Sequence, residues 1–299
     1  MKLLRLQYLS MLALVVLLAA CGGSGSKETE TASESAEFDE AKSQIISDIN
    51  KVIKDLPPPS EVPYLLMATG SDYDPELVNR LDNIDSYSNP TSKAALNLGV
   101  LTSDIGYLTS YEKAQESLEY VSACQKLAEA IGIGSSMDLE LISRFERNLS
   151  SKDSLKVLVD EVILRANDRL GALDRMSIAG LVLAGSYIEG LYISTALIQN
   201  YPDDLPAETR NLILEPLIKI VIDQKPALDD LIVVLGELGD EAAIVSMQDD
   251  LNKLKMIYEG ELSEVSKQIS ENTGSLVLET SVLGSLTTET QRIRAKITE

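Results

Sequence analysis

GSYIEGLYIST, residues 185–195, sits in the most apolar run of the chain, and its reading decides the fold. Between Arg175 and Asp203 the run holds a single charge, Glu189. Such a segment is either a membrane span or the central helix of a large bundle. Ser177, Ser186, Tyr187, Tyr192, Ser194 and Thr195 weigh against the span, so we read 177–199 as a helix enclosed by other helices.

Working outward, apolar residues recur every three or four positions nearly everywhere. Phe38, Ala41, Ile45, Ile49, Val52 and Leu56 predict a helix over 37–55, which the prolines of LPPPSEVP (56–63) stop. YLLMATG (64–70) allows a short helical turn, and SDYDPELVNRLDNIDSYSNP (71–90) reads as a polar loop. Thr91 is the expected N-cap of a helix to Tyr111, and Glu112–Ile131 follows with at most a slight break. Further helices are expected at 138–149, 153–173, 207–223, 227–238, 241–270 and 276–297, with Pro216 kinking or splitting its own. No strand-like alternation of useful length occurs. The fold class is therefore all-α, a multi-helix bundle or array of about nine to ten helices in one domain over 37–299.

The first residues carry a different message. Lys2 and Arg5 precede an apolar run to Leu18, and Leu18-Ala19-Ala20 leads into Cys21. That is a secretory signal over 1–20, and the cysteine after Leu-Ala-Ala resembles the lipobox of bacterial lipoproteins. There the new first residue, Cys21 here, carries diacylglycerol on sulfur and an acyl chain on its amino group, enough to anchor stably in a membrane. Residues 22–36 lack any large apolar side chain and read as a flexible tether. Gly22, where an Asp would resemble an inner-membrane retention signal, favours an outer membrane lipoprotein, facing either the periplasm or the cell surface.

Composition excludes more than it assigns. The chain has 26 basic and 47 acidic residues, a net charge of −21. That field repels nucleic acid and anionic headgroups, so the expected partners are the membrane through the lipid anchor and an envelope protein or small ligand. Histidine is absent, which removes histidine triads, histidine metal ligands and histidine acid–base chemistry. With Cys21 lipidated, Cys124 has no disulfide partner, and its stripe with Tyr120, Leu127 and Ile131 makes it a small buried hydrophobe. No cofactor motif is present.

A lone carboxylate at Glu189 is costly to ionise unless paired or hydrogen-bonded. Three roles are open to it: a structural pair with a buried arginine such as Arg165 or Arg169, a wall of a ligand pocket with Tyr187 and Tyr192, or a general acid–base with a raised pKa. On the helix from Thr91, Gly99, Ser103, Gly106 and Ser110 form a seam of small residues, with Asp104, Tyr107 and Tyr111 beside it. If the two small-residue helices cross, Asp104 and Glu189 face one cavity, suited to cation binding or carboxylate chemistry. Asp72, Asp74 and Glu76 open like a calcium loop, but Leu77 and Asn83 stand where that loop needs glycine and glutamate.

LPPPSEVPYLLMATGSDYDPEL, KAALNLGVLTSDIGYLTSY and GSYIEGLYI together resemble an uncharacterised all-helical lipoprotein family of Bacteroidota, over roughly residues 37–200. The resemblance implies a helical fold and an envelope location. It implies no activity and no functional residue. The expected function is a lipid-anchored envelope protein with a helical binding or scaffolding domain. The alternative is a carboxylate- and tyrosine-based enzyme, or a small-ligand or cation-binding protein, using Asp104 and Glu189.

Overall fold

The computed structural model describes residues 27–55, 57, 60–134, 139–148, 157–158, 161, 165, 169, 175–202, 205–271 and 280–299. Residues 1–20, expected as a signal peptide, and Cys21 lie outside them, as does most of the helix expected at 153–173. In chain order the helices are α1 (Lys27–Asp55), α2 (Glu61–Ala68), α3 (Ile84–Tyr87), α4 (Thr91–Ser110), α5 (Ala114–Ala130) and α6 (Leu139–Arg147). They continue with α7 (Met176–Gln199), α8 (Ala207–Ile222), α9 (Lys225–Glu237), α10 (Ala242–Glu259), α11 (Glu261–Ser270) and α12 (Gly284–Thr298). No strand occurs among the described residues, and the fold is all-α.

By its internal contacts the chain divides into two compact units between Ile46 and Ser47, inside α1. Among the described side chains of the apolar stripe read there, Ala41 is exposed and Ile45 half-buried, while Ile49 and Val52, in the second unit, are buried. Nor is the segment before 37 wholly a tether, since α1 begins at Lys27. After Gly25 the sequence is rich in Glu, Ala and Lys, which favour helix without requiring a buried face.

In the second unit α7 is central, packed by α4, α8, α9, α10 and α12. It is long and apolar enough to cross a membrane, yet most of it is buried inside the protein. Thr195 tolerates this because its hydroxyl returns to the helix's own carbonyls. Thr195 Oγ1 donates to Leu191 O at 2.8 Å. The same bond recurs at Thr102, Thr287 and Thr290, all buried.

Helix α4 meets α7 at a double notch. A Cβ added to Gly99 would lie 2.0 Å from the Val182 carbonyl oxygen, and one added to Gly185 would lie 2.0 Å from that of Leu96. The two backbones touch there. One turn on, Ser103 Oγ donates to Ser186 O at 2.9 Å and stitches the helices together. Gly99 and Ser103 of the small-residue seam thus meet α7, while Ser110 Oγ donates to Gly106 O and Ser60 O instead.

Helices α4 and α5 do not continue one another. Glu112 takes a left-handed conformation, φ 58°, and reverses the chain into an antiparallel hairpin closed by Lys113 N–H on Leu108 O at 2.9 Å. Three further expectations fail locally. The long helix over 241–270 breaks at Gly260, where φ is −90° and ψ −99°, giving α10 and α11. Pro216 does not split its segment, which forms a single helix, α8, so only the splitting alternative fails there. The segment 71–90 is not a plain loop: it makes two 3-10 turns and α3, and buries Leu77, Val78, Asn79 and Tyr87.

Ala at Gly99 or Gly185 would press a methyl into backbone that cannot retreat, so each substitution should cost about 3 kcal/mol or more. Gly190, on the same helix, has nothing within 4 Å of a Cβ. Gly190→Ala should therefore stabilise by up to about 1 kcal/mol through helix propensity alone. Urea denaturation of the three variants checks both signs.

Candidate functional site

The crossing of α4 and α7 fixes where their acids go. Asp104 lies five residues beyond Gly99 and Glu189 four beyond Gly185, and both are completely buried. Each acid is followed three residues later by a tyrosine, Tyr107 and Tyr192. The expectation that Asp104 and Glu189 meet is met by the geometry, but they meet in packed interior rather than at an open cavity.

Glu189 does have an arginine, though neither of the two proposed. Arg165 bonds Glu161 at 2.6 Å. The partner is Arg294 of α12, whose Nε donates to both Glu189 oxygens at 2.9 and 2.7 Å. The guanidinium lies on the Tyr192 ring, 4.2 Å from its centroid. Burial works against the charge on Arg294, but Glu189 and Asp104 outweigh it and hold the guanidinium protonated even more firmly than usual. Sequence offered no local sign of this pairing, because 105 residues separate the partners and the three cations of RIRAK (292–296) look alike in sequence.

Asp104 completes the set. Its Oδ2 accepts the Asn79 backbone N–H at 3.1 Å. Its Oδ1 has no donor facing it and lies beside Glu189. Burial first, and the Glu189 carboxylate second, hold its proton well above the usual carboxylate range, with Arg294 and the Asn79 amide pulling the other way. With its proton kept, Asp104 is able to donate to Glu189 through the oxygen that otherwise lacks a partner. The set is then one cation, one anion and one neutral acid. That is the composition a buried ionic cluster needs.

Around it the tyrosines sort by helix face. Tyr120 of α5 donates to Asn79 O at 2.7 Å and closes the site from the hairpin side. Tyr107 accepts from Asp74 N–H at 2.9 Å and donates to Asp74 O at 3.1 Å, pinning the 71–90 segment to α4. Its ring packs with Tyr111, centroids 5.0 Å apart, and with Tyr73 at 5.5 Å. Tyr187, expected in the pocket, is not there. Two residues from Glu189 puts it on the opposite side of α7, and it faces Tyr258, whose hydroxyl donates to Val221 O at 2.9 Å.

The weak calcium candidate is used otherwise. The Asp74 side chain caps the 3-10 turn Pro75–Leu77 by accepting Glu76 N–H at 2.9 Å. Among the described residues no three acidic or thiol groups converge as metal ligands. Cys124 is buried, and burial pushes its thiol up to about 12, so it is no nucleophile at neutral pH. Compared with protein-family models, curated proteins and solved structures, the chain matches none.

Two substitutions separate the roles of the acids. Glu189→Gln strands Arg294 in the interior and should cost roughly 3–5 kcal/mol. At about pH 4 and below, Asp104→Asn keeps both bonds, since its oxygen accepts from Asn79 and its amide donates to Glu189, and should stay within about 1 kcal/mol of wild type. Because the folded chain holds the Asp104 proton more tightly than the unfolded one, this residue's contribution falls as pH rises above about 4 toward the raised folded value. The stability difference between wild type and Asp104→Asn should therefore move in favour of the variant as pH rises through that window. Denaturant melts across the pH range read the slope, and a flat difference would contradict the shared proton.

Proposed function

We propose that this protein is a lipid-anchored outer membrane protein, held through Cys21, whose helical body is a binding or scaffolding module rather than an enzyme. The observation that carries the non-catalytic reading is the closure of the carboxylate pair. Glu189 and Asp104 are wholly buried, Glu189 held by Arg294 and Asp104 by the Asn79 amide and the neighbouring Glu189. A general acid or nucleophile must reach its substrate within hydrogen-bond distance, and neither carboxylate has a face to offer. Two supports underlie the envelope location: the basic, apolar and small-residue order ending at Cys21, and the resemblance of three segments to helical lipoproteins of Bacteroidota. With residues 1–20 removed, Lys2 and Arg5 go too, leaving 24 basic against 47 acidic residues, a net −23. A body so charged stands off anionic surfaces, and the acyl chains rather than the protein surface would hold it at the membrane.

Mass spectrometry of the native protein from its envelope tests the anchor. The expected amino-terminal peptide begins at Cys21 and carries the mass of a diacylglycerol plus one amide-linked acyl chain. A chain cleaved elsewhere, or a bare Cys21 thiol, overturns it. Protease treatment of intact cells then distinguishes a surface-facing body, which is cut, from a periplasmic one, which is protected.

A further inference from the structure

A groove of about 280 Å³ opens on the outer side of the buried ion pair. Arg294, Asn79 and Tyr87 form its deep wall, and Asn83, Arg80 and Glu76 its rim. Arg294 links the two places. Its Nε is given to Glu189, and one terminal nitrogen leans on Leu77 O at a long 3.4 Å. A guanidinium has five N–H donors, so most of its fork is left for the groove, where the side chain is 15% exposed. Asn79 and Asn83 bring amides to the same space. Arg80 stands at the mouth, holding exposed Asp82 at 2.9 Å on its outward side.

A half-buried guanidinium edge flanked by amides matches a planar carboxylate, which it can grip through two parallel bonds. Charge limits the ligand further. Glu189 already balances Arg294, Glu76 stands on the rim, and the whole chain carries −21, so each added negative charge is increasingly opposed. The volume is small for a ligand site. We infer that this groove binds a small monocarboxylate, its carboxylate edge-on to Arg294 and its body between Asn79 and Asn83. The inference rests on the reading of the body as a binding module and is independent of the lipid anchor.

Isothermal titration of the full chain in detergent micelles, with sodium acetate and inorganic phosphate as probes, tests it. Acetate should bind with a Kd of about 1 mM, within reach of a ligand of so few atoms. At about pH 8, where phosphate is largely dianionic, it should bind at least about tenfold more weakly. Arg294 itself is unsuitable for substitution because the fold depends on it. Asn83 is exposed and its side chain caps nothing, so Asn83→Leu should leave the melting temperature unchanged while weakening acetate about tenfold. No binding of acetate overturns the inference. So does acetate binding unaltered by Asn83→Leu, which would place it elsewhere, or phosphate binding as tightly as acetate, which would refute the carboxylate class. An unacylated Cys21 with acetate bound would remove the anchor and leave the groove, and an acylated Cys21 with no acetate bound would do the reverse.

Discussion

Everything in the second unit is arranged around one constraint: at Gly99 and Gly185 two helix backbones touch. Contact of that kind admits no side chain between α4 and α7, so their relative placement is set by main chain rather than by adaptable apolar packing. Residues one turn farther on inherit that placement. Ser103 reaches Ser186, and Asp104 reaches Glu189. Two acids on central helices would ordinarily repel and unravel such a crossing. They coexist because one keeps its proton and the other has an arginine.

The site is therefore better understood as a keystone than as a reaction centre. It ties together elements far apart in sequence: the 71–90 segment through Asn79, the α4–α5 hairpin through Asp104 and Tyr120, α7 through Glu189, and α12 through Arg294. A purely apolar junction of the same volume is often as stable or more so. What the polar junction adds is register. Each bond has one geometry, and a helix that slides by a turn leaves a charge unpaired in the interior.

Much of the helical architecture can be read in the sequence, because a stripe every three or four residues needs no knowledge of its partner. Asp104 and Glu189 are legible for a related reason, as acids on otherwise apolar helices must be explained. Their partner is not legible. Arg294 lies in a helix whose charges look like an ordinary solvated face, and only the folded path brings it to Glu189. The misplacement of Tyr187 has a different origin. Helical geometry puts residues 187 and 189 on opposite sides of α7, so that error was avoidable from sequence. The break at Gly260 interrupts an unbroken apolar stripe, and periodicity has no means of registering it.

The last helix shows how alternation in a short run can serve two environments at once. Arg292 and Lys296, four residues apart, share one face and converge on Asp250 of α10 at 2.5 Å each, where Lys253 joins them at 2.9 Å. Burial of Asp250 favours its protonation, but these cations outweigh that and hold its carboxyl down at about 2. They are themselves half-exposed, so water and salt screen much of the benefit. Arg294, between them in sequence, points the other way into the core. The carbonyls that α12 cannot satisfy within itself are taken up from the α3–α4 region: Asn97 donates to Ile297 O at 3.0 Å and Tyr87 to Thr298 O at 2.9 Å. Helix α12 is thus clasped on one side by a solvated ionic cluster and on the other by a dry one. Of the two, the dry pair is the costlier to break, because no water replaces the missing partner. The same arginine that closes the core also forms the deep wall of the groove, so whatever occupies the groove touches the residue on which the packing of α12 against α7 depends.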